Sequence, residues 1–204
     1  MFGKYVALEG LDFAGKSELT KKLIARLGWA TVNEPYTGNE HAAEVKRMNN
    51  ANYLPKHYEM MMIIAGRIDC FDEVVCKYRE GGLISDRCVV SSMVYQSTPT
   101  MPPSAVLRAN EEMLRTAGHD IYPDHIFFLD IDHSTFLERL ANCNRAVDEK
   151  DLFLKKKENW DNLREKYLRS LAIVELKGKT KIHYINEHTS VDEILELLGE
   201  NDPE

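Results

Sequence analysis

Cysteine is scarce in this chain of 204 residues: Cys70, Cys76, Cys88 and Cys143 show neither CxxC pairing nor a histidine at zinc-ligand spacing. A disulfide scaffold and a zinc finger are therefore not expected, and the thiols read as reduced, in a cytoplasmic setting. With 7 prolines and 11 glycines, the composition is not that of a fibrous or low-complexity chain. No run of about 18 apolar residues is available to span a bilayer. A single basic residue precedes Glu9, which interrupts the N-terminal apolar run, so no signal peptide and no membrane partner are expected. Positive charge is also in deficit, 26 Lys and Arg against 33 Asp and Glu for a net charge of -7. Generic nucleic-acid binding needs a basic stripe to displace counterions, so nucleic acid is not an expected partner.

What is present is an alternation. Short apolar segments at 4–9, 30–32, 82–86, 125–131 and 181–185 predict strands, and nearly continuous apolarity within them indicates a parallel sheet covered on both faces. Helical spacing between them predicts helices at 16–27, 56–79, 104–117, 151–174 and 190–198, the last with Ser190 as N-cap. No repeat or linker interrupts the pattern. One α/β domain over 1–204 is expected, a three-layer sandwich with five parallel strands flanked by helices.

The first strand runs into Gly10-Leu11-Asp12-Phe13-Ala14-Gly15-Lys16-Ser17, which fits G-x-x-x-x-G-K-[ST] and is followed by an amphipathic helix. Glycines let backbone N–H groups turn toward a β-phosphate, a lysine bridges the β- and γ-phosphates, and a hydroxyl at the helix start holds Mg²⁺. A nucleoside triphosphate site is expected over Gly10, Asp12, Phe13, Ala14, Gly15, Lys16, Ser17 and Glu18. A guanine-reading NKxD sequence is missing, and the chain is short for AAA-type and motor ATPases, which points to a small-molecule kinase. Asp86 at the carboxyl end of the third strand, and Glu9 at the end of the first, are candidates for supporting the metal with Ser17.

Several segments together resemble the thymidylate kinases among the nucleoside monophosphate kinases. The loop "EGLDFAGKS", Glu34-Pro35 after the second strand, "DRCVVSSMVYQ" at 86–96 and "PDHIFFLDID" at 123–132 carry the resemblance over most of the chain. It implies Mg²⁺-dependent transfer from ATP to dTMP or a close deoxynucleoside monophosphate, by a P-loop kinase fold with a lid. It also implies an acceptor site of Asp12, Glu34, Pro35, Tyr36, Arg47, Ile63, Arg67, Arg87, Ser92, Tyr95 and Gln96. Asp12 would face the sugar 3′-OH, Arg67 and Arg87 the acceptor phosphate, and Ser92 and Gln96 the base. Arginine suits phosphate through its planar fork of donors.

Two departures from the family pattern stand out. Ile63 occupies the position of a phenylalanine that stacks on thymine, and "YT" follows Glu34-Pro35 where Gly-Gly is common, bringing Tyr36 toward the sugar edge. Phe13 also fills the P-loop position where some members carry a cation. The transfer charge is therefore expected from the lid at 139–153, which offers Arg139, Arg145 and Lys150, with Arg145 preferred beside Lys16 and Arg87 as catalytic groups. The family resemblance further implies a homodimer. A deoxynucleoside kinase, with Glu34 as base, and a nucleotide-binding regulatory protein without transfer activity remain alternatives at this level.

Overall fold

The computed structural model describes residues 4–50, 54–144 and 146–199. Five strands, β1 (Tyr5–Glu9), β2 (Ala30–Asn33), β3 (Leu83–Asp86), β4 (His125–Leu129) and β5 (Lys181–Ile185), form one parallel sheet in the order β2-β3-β1-β4-β5. All five residues of β1 and of β4 are buried, as central strands covered on both faces must be. The register sets Leu8 opposite Asp86, and Asn33 opposite Asp86 on the other side. The carboxyl ends of β1, β2 and β3 thus open onto one edge, where α/β sheets bind ligands.

Helices α1 (Lys16–Leu27), α2 (Glu40–Asn50), α3 (Lys56–Cys70), α4 (Cys76–Tyr78), α5 (Val89–Tyr95), α6 (Pro103–Thr116), α7 (His133–Ala141), α8 (Glu149–Leu154), α9 (Lys157–Glu175) and α10 (Val191–Leu198) cover the two faces. The helix expected over 56–79 is there but is not uniform. A π-helical segment, Phe71–Val75, widens it between α3 and α4. The helix expected over 151–174 is two helices: Asp148 caps α8 with a reciprocal bond to Asp151, and α9 restarts after the extended Lys156.

Three helices have no counterpart in the sequence reading. In α7 the Asp132 side chain accepts from the Thr135 N–H, a local cap that also ends β4 before the expected residue 131. The sequence of α5, VVSSMVY, is rich in β-branched residues and has no capping side chain of its own. Its first turn is held from a distance: buried Glu9 accepts from the Cys88 and Ser91 N–H groups at 2.8 and 3.0 Å and from Ser91 Oγ at 2.8 Å. A carboxylate at a helix N-terminus satisfies donors the helix cannot. The third, α2, carries Arg47 on its outer face.

Candidate active site

The loop joining β1 to α1 is built on two glycines. Gly10 has φ 146°, and a Cβ there would lie 2.8 Å from the Leu129 carbonyl oxygen; Gly15 has φ 99° and starts α1. Between them Phe13 adopts φ 64°, and its ring meets Phe136 of α7 edge-on at 5.9 Å. Lys16 turns back over the loop, its Nζ donating to the Gly10 and Leu11 carbonyls at 2.9 Å each. Burial, and Arg87 nearby, push its ammonium down to about 8.

Ser17 Oγ donates to Asp86 Oδ2 at 3.2 Å, which brings the first turn of α1 against the end of β3. Asp86 Oδ1 is buried without a hydrogen-bond partner among the described residues. A hydroxyl and a carboxylate with an uncommitted oxygen, at a helix N-terminus, suit a hard divalent cation. Glu9 does not share that availability. Both its oxygens accept from the start of α5, and burial raises its carboxyl above the ordinary range.

Arg87 follows Asp86 at φ 78°, a left-handed conformation fixed by its N–H donating to the Leu8 carbonyl and its own carbonyl accepting from Ser85 Oγ. Its guanidinium donates to Asp12 Oδ1 at 2.6 Å, Tyr167 Oη at 2.8 Å and Ser91 Oγ at 3.0 Å, and lies over the Tyr95 ring. Arg67, buried on α3, is more completely occupied. It donates to Glu34 Oε2 through Nε at 2.8 Å and Nη2 at 2.5 Å, to Ser92 Oγ at 2.9 Å, and to Asn110 Oδ1. Burial alone would lower its pKa, but the Glu34 carboxylate raises it above its ordinary value.

Two cavities meet here. One of about 240 Å³ contains Asp12, Glu34, Pro35, Ile63, Arg67, Arg87, Ser92, Tyr95 and Gln96, nearly the whole expected acceptor set. The other, about 790 Å³ and more open, runs along Phe13, Gly15, Lys16, Ser17, Glu18 and Asp86. Asp12, Glu34 and Arg87 line both, so the two spaces are adjacent at these three side chains.

Two expected acceptor residues stand outside. Arg47 pairs with Glu44 one turn away, its side chain 72% exposed, because the phase of α2 turns it to solvent. Tyr36 turns away from the pocket, its hydroxyl donating to Glu73 Oε2 at 2.5 Å on the π segment. Arg145 lies outside the described residues. Of the other cations expected in a lid, Arg139 reaches the P-loop from α7, its Nη1 donating to the Phe13 carbonyl at 3.0 Å, and Lys150 lines the smaller cavity.

Lys56, Glu59, Cys88 and Ser91 also line that cavity, and Tyr167 contacts Arg87 from α9. Glu59 had a signal: it precedes Ile63 and Arg67 by four and eight residues, so all three share one face of α3. Tyr167 had none, since nothing local marks a tyrosine far along the chain as a neighbour of Arg87.

A family model described as thymidylate kinase matches residues 8–197. The thymidylate kinase of Sulfurimonas denitrificans is 32% identical over 139 residues, which are 67% of this chain and 71% of that one. A probable thymidylate kinase of Methanococcus maripaludis is 24% identical over 206 residues, 98% of each chain. Among solved structures, thymidylate kinase from Ehrlichia chaffeensis superposes with a TM-score of 0.68 at 19% identity, covering 98% of this chain and 99% of that one. The Candida albicans enzyme gives 0.66 at 18% identity, covering 98% and 90%. The structural likenesses establish the α/β P-loop kinase fold.

Proposed function

The chain belongs to the thymidylate kinase family, and from that premise we propose that it transfers the γ-phosphoryl group of ATP to the 5′-phosphate of dTMP, giving ADP and dTDP. The observation that carries the reading is that Asp12, Glu34 and Arg87 line both cavities. A triphosphate on the P-loop and a monophosphate in the inner cavity would meet there, and transfer between them is chiefly a matter of positioning and charge.

Lys16 serves the β- and γ-phosphates by exchanging the Gly10 and Leu11 carbonyls for phosphate oxygens. Arg87 carries the acceptor phosphate, and Asp12, now its ion-pair partner, is placed to accept from the sugar 3′-OH. Arg67 spends four N–H bonds on Glu34, Ser92 and Asn110 and has one left for the acceptor, so it shapes the pocket as much as it binds. Tyr95, under Arg87, forms the wall beside the sugar, and Ile63 gives the base an apolar surface.

Ser17 and Asp86 would hold Mg²⁺, which when bound supplies charge neutralisation on the triphosphate. The segment 139–153 acts as the lid, with Arg145 as its transfer cation and Arg139 steadying the P-loop through the Phe13 carbonyl. The acceptor oxygen is already anionic near neutral pH, so no general base is needed. The exposed Met61 on α3 supports a homodimer through that helix, and the four cysteines, none of them in a disulfide, are compatible with a cytoplasmic setting.

A coupled assay of ADP release tests the reading. ATP, Mg²⁺ and dTMP should give sustained turnover, and thymidine in place of dTMP should give little. Turnover with thymidine alone would make the chain a deoxynucleoside kinase, and ATP binding without turnover of any monophosphate would leave it a binding protein.

A further inference from the structure

Two polar side chains in the acceptor cavity have their hydrogen-bonding sense dictated by neighbours. Gln96 Nε2 donates to Glu59 Oε1 at 3.0 Å, and Glu59 Oε2 is held by Lys56 Nζ at 2.6 Å. A carboxylate only accepts, so the Gln96 amide cannot turn over without setting its carbonyl against Glu59 Oε1. That orientation leaves Gln96 Oε1 buried without a partner among the described residues. Ser92 is constrained in the opposite sense: Arg67 Nη2 donates to its Oγ at 2.9 Å, leaving the hydroxyl its own proton to give.

We infer that Glu59 is a specificity-determining positioning residue, which locks Gln96 so that the pocket offers an acceptor to the base ring and Ser92 a donor beside it. The inference rests on the phosphorylation of a deoxynucleoside monophosphate proposed above. The complementary edge is a ring N–H flanked by carbonyls, the imide of thymine or uracil. Cytosine presents an unprotonated N3, which would face Gln96 Oε1 lone pair to lone pair. A buried acceptor left unmatched is costly, and the cost falls on the wrong base alone. With Ile63 providing contact without a stacking ring, hydrogen-bond sense becomes the main discriminator at this end of the pocket.

Glu59→Gln removes the lock, because a second amide can offer either an oxygen or an N–H to Gln96. The experiment compares kcat/KM for dTMP and dCMP, at saturating ATP and Mg²⁺, in the wild type and the variant. The dTMP:dCMP ratio should fall by about tenfold. The fall should come partly from an absolute gain with dCMP, and the variant should show raised KM and nearly unchanged kcat for dTMP. A variant that keeps the wild-type ratio, or loses dTMP activity with no gain for dCMP, overturns the inference. Should Glu59→Gln fail to fold, Gln96→Ala gives the same comparison: removing the fixed acceptor should narrow the ratio, and an unchanged ratio refutes it. A wild type inactive on every monophosphate strikes instead at the proposed function.

Discussion

Arg67 and Glu34 form a buried ion pair, Nη2 2.5 Å from Oε2, joining α3 to the loop after β2 inside the acceptor cavity. Breaking such a pair strands one charge in a low-dielectric setting. Glu34→Gln is expected to cost about 3 kcal/mol of folding stability, measured by urea denaturation. Combining it with Arg67→Met should cost less than the sum of the two single changes, because neither charge is then left alone. Additive losses would mean the two residues stabilise the fold separately.

Much of the geometry of the loop from Gly10 to Ser17 was legible because its causes are local. Gly10, Gly15 and Lys16 are close in sequence, and each is needed for a conformation or contact within that loop. Most of the residues expected on the acceptor side line one cavity, but their partners were not legible. The sequence places Arg67 and Arg87 as phosphate ligands, yet the first is chiefly engaged by Glu34 and the second by Asp12 and Tyr167, through contacts that span from 33 to 80 residues. Helix α5 was missed for the same reason, since its N-terminus is capped by Glu9, about 80 residues away. Arg47 pairs with Glu44 on the exposed face of α2, a helix phase that motif likeness does not specify.

Asp86 Oδ1 is the uncommitted oxygen at the β3 edge. Asp86→Asn should raise the Mg²⁺ concentration for half-maximal rate roughly 10–100-fold, while metal-free ATP binding changes little. A titration of initial rate against Mg²⁺ reads this directly, and an unshifted midpoint would remove Asp86 from the metal site.

Arg87 touches the acceptor cavity and the P-loop carbonyl of Gly10, but most of its contacts are to Asp12, Ser91 and Tyr167. Arg87→Ala is expected to raise KM for dTMP and lower kcat, together costing on the order of 10²–10³ in kcat/KM, with ATP affinity preserved. An equal loss of ATP affinity, measured by calorimetry, would reassign Arg87 to the triphosphate.

The two arginines of the proposed lid, Arg139 and Arg145, separate in the same assay. Arg139→Ala frees the Phe13 carbonyl and should weaken ATP binding along with turnover. Arg145→Ala should lower kcat by about 10²-fold with both KM values nearly constant, as expected of a cation acting on charge that develops during transfer. Wild-type turnover in Arg145→Ala would transfer that role to Arg139 or Lys150.

Away from the site, His125 Nδ1 and His183 Nε2 lie 2.9 Å apart between β4 and β5, with the rings stacked. Burial, then the His183 neighbour, push His125 down to about 4, and burial lowers His183 as well. A folded-state pKa below the unfolded value of about 6.5 means the unfolded chain binds protons first as pH falls. The stability this pair contributes is therefore full above pH 6.5 and is lost progressively toward pH 4, by about 1–3 kcal/mol. His125→Phe retains an aromatic ring against Phe127 and should flatten the urea midpoint across that window relative to the wild type. Carboxylates contribute to acid unfolding in both proteins and cancel in the comparison. Parallel pH curves for the two proteins would show that the pair is not the group being titrated.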